Sequence, residues 1–338
     1  MKRADVKTKW FPRFLEGLPS MEGKTVVITG TTSGTGFVAA GAMAKKGAKV
    51  VVLNRSSSRA ESSLATLQQE NPEAKIEWVK CDLQSFASVK EAVNEVKKIC
   101  EDGIDVLCNN AGIMAIEDKA TEDGYDVQIQ TNHLSHFLLT KELYPLLEKA
   151  AAARGEARVV NHSSEARNIP FTSLSKKYFE KRGGNLGGNA RTFTSNILFR
   201  KGRWERYHQS KLANSVFSQE LARRVKKCGG SVKSLCCHPG FAITALQETS
   251  NANGGMGYGF LEKVLEKRVA QTQEDGAMPL INCMASKNVE NGNMFGPKNG
   301  MKGPVRKCKP GRLTTKKAGA TLWAVSETVC GEFKVSSE

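Results

Sequence analysis

The chain has 338 residues, 40% of them hydrophobic and 25% charged, enough to bury a full core in one large domain or two small ones. It has no run of 18 or more apolar residues, so no membrane-spanning helix is expected, and its nine cysteines, odd in number and without CxxC spacing, point to free thiols in a reducing compartment. The net charge of +16 invites a nucleic-acid or membrane reading, but residues 1–13 (five Lys/Arg against Asp5) and 298–317 (eight Lys/Arg, no acid) supply +12 of it, leaving a nearly balanced body without a nucleic-acid-reading motif.

The opening segment, MKRADVKTKWFPRFLEGLPS, is basic but lacks the apolar stretch of a secretory signal. Asp5, Glu16 and its scarcity of serine argue against a transit peptide, so a cytoplasmic address is expected. Trp10, Phe11 and Phe14 fit either a hydrophobic staple onto the domain or peripheral contact with a membrane surface. KTVVITG (24–30) is a β-branched run followed by a small-residue loop and the helical pattern FVAAGAMAKKG, which predicts strand, turn and helix. AKVVVLN (48–54), KIEWVKC (75–81), IDVLCN (104–109), ARVVNHS (157–163) and VKSLCCH (232–238) predict five more strands. Between them lie a polar helix to about Glu70, the amphipathic SFASVKEAVNEVKKIC and a helix reaching Lys149. Apolar strands alternating with helices imply a doubly wound parallel sheet covered on both faces.

This α/β domain is expected over 22–297, with 1–21 as an N-terminal extension and 298–338 as a basic C-terminal extension. Two departures interrupt its rhythm. An insertion of 42 residues separates Ser164 from Tyr207 and includes RGGNLGGNARTFTSN, and a second Gly/Asn-rich stretch, TSNANGGMGYGF, covers 249–260. Loops beyond the carboxyl ends of such strands bind ligands, so 165–206 and 241–268 are expected to be substrate loops.

Thr29-Gly30-Thr31-Thr32-Ser33-Gly34-Thr35-Gly36 joins the first predicted strand to the first helix. Glycines there let backbone approach a pyrophosphate, and the helix N-terminus supplies N–H groups and a favourable dipole. The spacing is TGxxxGxG, unlike the commoner GxGxxG. The second strand ends in Leu53-Asn54-Arg55, with Arg59 a turn later and no acid before Glu61. An acid there would bind the ribose hydroxyls of NAD, whereas arginine accommodates a 2′-phosphate, so NADP(H) is expected, with Arg55 reading the phosphate. Tyr207 and Lys211 stand four apart in YHQSK, one helical turn, and no other tyrosine has a lysine at that spacing. A nearby ammonium favours phenolate and would lower the pKa of a tyrosine, making it a proton donor and acceptor for a carbonyl or alcohol. His133 and His136, three apart, have no third ligand at zinc-site spacing, and no metal is expected.

In sequence order these motifs resemble the short-chain dehydrogenase/reductase superfamily across nearly the whole chain. TGTTSGTG is similar to its cofactor loop, Cys81-Asp82-Leu83 to its adenine-contacting element, and Asn109-Asn110-Ala111-Gly112 to its NNAG element. Asn132 in TNHLSHFLLT, Ser164 in VVNHSSEA, YHQSK and Pro239-Gly240 in HPGFAIT complete the series. NHLSHFLLT, VVNHSS and YHQSKLAN, with the long segment between serine and tyrosine, resemble the retinol dehydrogenase and protochlorophyllide reductase-like branch. The intact NNAG departs from light-dependent protochlorophyllide reductases, and Thr35 stands where the family commonly has a bulky aliphatic residue.

The resemblance implies a single Rossmann-type sheet and a catalytic set of Asn132, Ser164, Tyr207 and Lys211. Tyr207 would be the general acid in reduction and the base in oxidation. Lys211 would tune it and hold the nicotinamide ribose, Ser164 (preferred over Ser163) would hold the substrate oxygen, and Asn132 would support a water-linked proton path from Lys211. Cofactor contacts are implied at Gly30, Thr32, Ser33, Gly34, Thr35, Gly36, Asn54, Arg55, Asp82, Leu83, Asn109, Ala111, Gly112, Tyr207, Lys211, Pro239, Gly240 and Thr244. The expected reaction is NADP(H)-dependent interconversion of a small to medium, apolar carbonyl and its alcohol, by a monomer or homodimer. Phe241, Ile243, Leu246 and Met256 are candidates for an apolar pocket. The alternative is a non-catalytic NADP(H)-binding regulatory or interaction protein on the same fold.

Overall fold

The computed structural model describes residues 6–169, 173–188, 202–252 and 270–335. Its centre is one eight-stranded sheet in the order β3-β2-β1-β4-β5-β6-β7-β8. The strands are β1 (Thr25–Thr29), β2 (Lys49–Asn54), β3 (Ile76–Lys80), β4 (Val106–Asn109), β5 (Ala157–His162), β6 (Val232–Cys237), β7 (Met294–Pro297) and β8 (Val305–Cys308). All neighbours are parallel except β7 and β8. The order reverses between β1 and β4, the crevice at which such sheets bind dinucleotides.

Side chains alternate between two cores because successive residues of a strand face opposite ways. Val27, Val51, Leu53 and Val79 enter one core, and Val26, Ile28, Val50 and Val52 the other. Over the first core lie α4 (Phe86–Ile99), the short α5 (Val127–Ile129), α6 (Ser135–Arg154) and α7 (Arg203–Cys228). Over the second lie α1 (Phe11–Glu16), α2 (Gly34–Lys45), α3 (Ser58–Glu70) and α9 (Gln273–Ala285), while α8 (Ala245–Ala252) follows β6. With both faces covered, a strand such as β5 is buried at every position, which explains the unbroken apolar runs.

The two terminal segments are part of this body. The carboxylate of Asp275, 1% exposed, accepts the backbone N–H groups of Lys9, Trp10 and Phe11 at 2.9 Å each. Phe11 and Phe14 then pack on the second core, as a staple onto the domain does. The expected boundary after residue 297 falls inside a hairpin, since β8 pairs with β7 from Pro297↔Val305 to Met294↔Cys308. Beyond it, α10 (Lys316–Cys330) packs on α7 and buries Trp323, against which Phe333 stacks at 5.0 Å. The segment read as a basic extension therefore completes the sheet and one core, its charges lying on the outer faces of these elements.

Described parts of the insertion before Tyr207 are also packed. Leu174, Tyr178, Phe179 and Leu186 join the first core, and Phe179 meets His133 edge-on at 5.8 Å. Most of the second Gly/Asn-rich stretch, including Met256, lies outside the described residues.

Candidate active site

The loop from β1 to α2 is built for close backbone approach. Gly30 has φ +71°, and a Cβ there would lie 2.7 Å from Ala111 Cα, while one on Gly36 would collide with the Gly30 carbonyl oxygen. Asn54, at the tip of β2, holds the loop through two 2.8 Å hydrogen bonds, accepting from Thr31 N and donating to Thr31 Oγ1. Thr244 closes over the loop, since a Cβ on Gly34 would lie 3.2 Å from its side chain. The start of α2 faces a cavity of about 1240 Å³, and Gly30, Thr32, Ser33, Gly34, Thr35 and Gly36 all border it. So do Asn54, Arg55, Asp82 and Leu83 at one end and Ala111, Gly112, Pro239, Gly240 and Thr244 at the other. Its volume exceeds the roughly 300–1,000 Å³ of ordinary small-molecule pockets, leaving room for a dinucleotide and a second molecule.

One expected contact is displaced by a residue. Asn109 is 1% exposed and does not reach the cavity, because its amide donates to Thr140 Oγ1 and Asn161 Oδ1, each at 2.9 Å. Asn110 borders the cavity instead, its amide nitrogen donating to the carbonyls of Thr29 (2.8 Å) and Gly30 (2.9 Å). Side chains alternate along a strand end, so a doubled asparagine leaves the choice open until the register is known.

At the far end of the cavity, Tyr207 projects from α7 and is 4% exposed. Ser164 borders the cavity with Tyr207, whereas the Ser163 hydroxyl is turned inward and donates to the Lys211 carbonyl at 2.7 Å. Lys211 Nζ lies 6.0 Å from the Tyr207 ring centroid and donates to the His162 carbonyl at 3.1 Å. A Cβ on Gly112 would stand 3.1 Å from Lys211 Nζ and 3.3 Å from Asn132 Oδ1, so only glycine leaves both groups in place. Asn132 lies in a π-helical turn, Gln130–Leu134, between α5 and α6. Such turns occur frequently at functional sites. It stands just behind the cavity wall, its amide exchanging hydrogen bonds with Ile113 N (2.9 Å) and O (3.0 Å) and donating to Ser210 Oγ at 2.8 Å.

Burial dominates the electrostatics. It pushes Tyr207 up to about 12, against the lowering effect of the Ser164 side chain, and pulls Lys211 down to about 8. The lysine therefore does not bring the phenol towards neutrality in the protein alone. The two histidines near Asn132 serve the scaffold: His133 Nε2 meets Ser326 Oγ at 3.0 Å, and His136 bridges Thr29 Oγ1 (2.9 Å) and the Asn132 carbonyl (3.1 Å).

A family model described as short chain dehydrogenase matches residues 24–176. An uncharacterized oxidoreductase of Schizosaccharomyces pombe is 35% identical over 258 residues, 75% of this chain and 68% of the relative. The chain belongs to the short-chain dehydrogenase/reductase superfamily. Mouse retinol dehydrogenase 13 is 32% identical over 248 residues, 72% of this chain and 65% of the relative. The solved structure of an uncharacterized protein from Mycobacterium paratuberculosis superposes with a TM-score of 0.71 at 30% identity, covering 98% of this chain and all of that one. L-sorbose reductase from Gluconobacter frateurii, complexed with NADPH and L-sorbose, shares the fold at a TM-score of 0.60 and 22% identity, over 83% of this chain and 97% of that one.

As a short-chain dehydrogenase/reductase, the chain has a site for a nicotinamide dinucleotide, and its residues fit one. The glycine cradle admits no Cβ at Gly30 or Gly36, and the helix start supplies N–H groups for phosphates. Near Tyr207 the wall is apolar, with Met114, Ile169, Trp204, Phe241 and Leu246. Ile243 does not border the cavity; it hydrogen-bonds Gln271 O through its N–H at 3.0 Å and belongs to the packing behind the loop. Trp204, edge-on to Tyr207 at 5.9 Å, was not anticipated, although its position one helical turn before Tyr207 places it on the same face. Met301 reaches the wall from the β7–β8 hairpin, for which the sequence carried no signal.

Proposed function

We propose that this protein is an NADP(H)-dependent oxidoreductase that interconverts a small to medium, apolar aldehyde or ketone and its alcohol. The observation that carries the reading is the convergence of Ser164, Tyr207 and Lys211 on the apolar end of the glycine-loop cavity, with Lys211 Nζ 6.0 Å from the Tyr207 ring centroid. When bound, the nicotinamide supplies or takes the hydride. The chain's own residues bind, orient and move protons. Ser164 holds the substrate oxygen while charge builds on it. Tyr207, protonated at neutral pH, delivers a proton from Oη to that oxygen in reduction and takes it back in oxidation. Lys211 presents a charge beside the phenol and its donors to a ribose, held in place by the His162 carbonyl. Arg55 and Arg59 border the opposite end, and no carboxylate lies between Asn54 at the end of β2 and Glu61, which supports a 2′-phosphate.

Tyr207→Phe is expected to abolish NADPH oxidation with an aldehyde and ketone panel while NADPH still binds; undiminished turnover would remove the mechanism. If the unaltered protein binds NADPH tightly and turns over none of the panel, the non-catalytic alternative replaces it. Fluorescence titration of the unaltered protein should show tighter binding of NADPH than of NADH. Arg55→Ala should erase that preference, and equal affinities in the unaltered protein would count against Arg55 as the phosphate reader.

A further inference from the structure

Thr35 and His162 are joined through one atom. Asn110 donates both of its amide protons to the Thr29 and Gly30 carbonyls, which fixes Oδ1 as an acceptor. That oxygen receives Thr35 Oγ1 at 3.4 Å and His162 Nδ1 at 2.8 Å. Nδ1 therefore carries the ring proton. Desolvation pulls the His162 pKa down to about 3, so the imidazole is neutral and Nε2 is an acceptor. His162 is 7% exposed, borders the cavity, and among the described residues Nε2 has no hydrogen-bond partner. An acceptor held by this network in a largely buried wall is complemented by a donor on whatever fills the cavity.

Position selects which part of a dinucleotide that is. Arg55 and Asp82 follow β2 and β3, whereas His162 ends β5, three strands from β2 at about 4.8 Å per step. The His162 carbonyl holds Lys211, and Ser164 follows two residues later. The reacting end of the cavity therefore lies against His162 and the adenosine end away from it. Resting on the cofactor reading above, we infer that His162 Nε2 accepts a hydrogen bond from the nicotinamide half of the bound cofactor, and that the Thr35–Asn110–His162 chain orients that half. The donor is the carboxamide N–H or a ribose hydroxyl.

Calorimetric titration tests this without turnover, using NADP+, its 3-acetylpyridine analogue, which lacks the carboxamide N–H, and 2′,5′-ADP, which lacks the nicotinamide half. His162→Val should weaken NADP+ binding by about five- to ten-fold, one hydrogen bond's worth, and leave 2′,5′-ADP unchanged. His162→Gln, which restores an acceptor, should recover much of the loss. If His162→Val binds the analogue as the unaltered protein does, the carboxamide is the donor; if the loss persists with the analogue, a ribose hydroxyl is. Undiminished NADP+ binding by His162→Val overturns the inference, as does an equal loss for 2′,5′-ADP. Should His162→Val fail to fold, His162→Ala is read by the same criteria. An unaltered protein that binds none of the three overturns the cofactor reading itself.

Discussion

Tyr207 and Lys211 are both buried, and burial shifts each towards its neutral form: the phenol stays protonated to about 12 and the ammonium loses its proton near 8. Carbonyl reduction uses the protonated phenol, so kcat/KM for reduction should hold through neutral pH and fall as the pH passes about 8, where Lys211 discharges. Lys211→Arg, if it retains activity, should move the fall upward, because a guanidinium does not titrate in this range. A fall that begins below pH 7, followed by steady-state kinetics, would assign the transition to another group. The spacing in YHQSK made this pair legible in the sequence. Burial was not legible there, and it reverses the expected direction of the tyrosine shift.

Among the elements, α7 carries Trp204, Arg206, Tyr207 and Lys211, and its entry is fixed by charge. Arg206 Nε lies 2.9 Å from Asp126 Oδ2, both side chains fully buried, and Nη1 lies 3.5 Å from Asp118 Oδ2. Asp118 Oδ2 in turn accepts the N–H groups of Leu186 (2.9 Å) and Gly188 (2.7 Å), so one ion cluster ties the insertion to the segment after β4. Removing one partner of such a pair leaves an uncompensated buried charge, and Arg206→Ala should cost about 3–5 kcal/mol in urea unfolding. A loss under about 1 kcal/mol, the range of surface ion pairs, would show that the cluster does not hold the insertion. The six strands β1 to β6 were legible because a sheet covered on both faces needs apolar runs. β7 and β8 are four residues each, and β8, Val-Arg-Lys-Cys, is only partly covered, so neither carried such a signal.

For the whole molecule, the stretch beyond residue 297 is a structural component. Ending the chain there would strip β8 from β7 and remove Trp323 and Phe333, buried to 1% and 3% exposure. A 1–297 protein should therefore accumulate in the insoluble fraction; a soluble, cooperatively melting product would show that the hairpin and α10 are dispensable. Composition misled here because basic, Gly- and Pro-containing sequence reads as solvated, and only the pairing with β7 shows otherwise. The N-terminal segment was similarly ambiguous, its attachment depending on Asp275, some 265 residues away.

The buried Arg167 guanidinium follows the same geography. Nη1 donates to the Ser164 carbonyl at 2.9 Å and Nε to the Pro310 carbonyl at 2.9 Å. The turn that presents Ser164 is thus fastened to chain made almost 150 residues later. The serine turn gains its fastening only after residue 310 has been synthesised, so the reaction centre is completed late in the making of the chain.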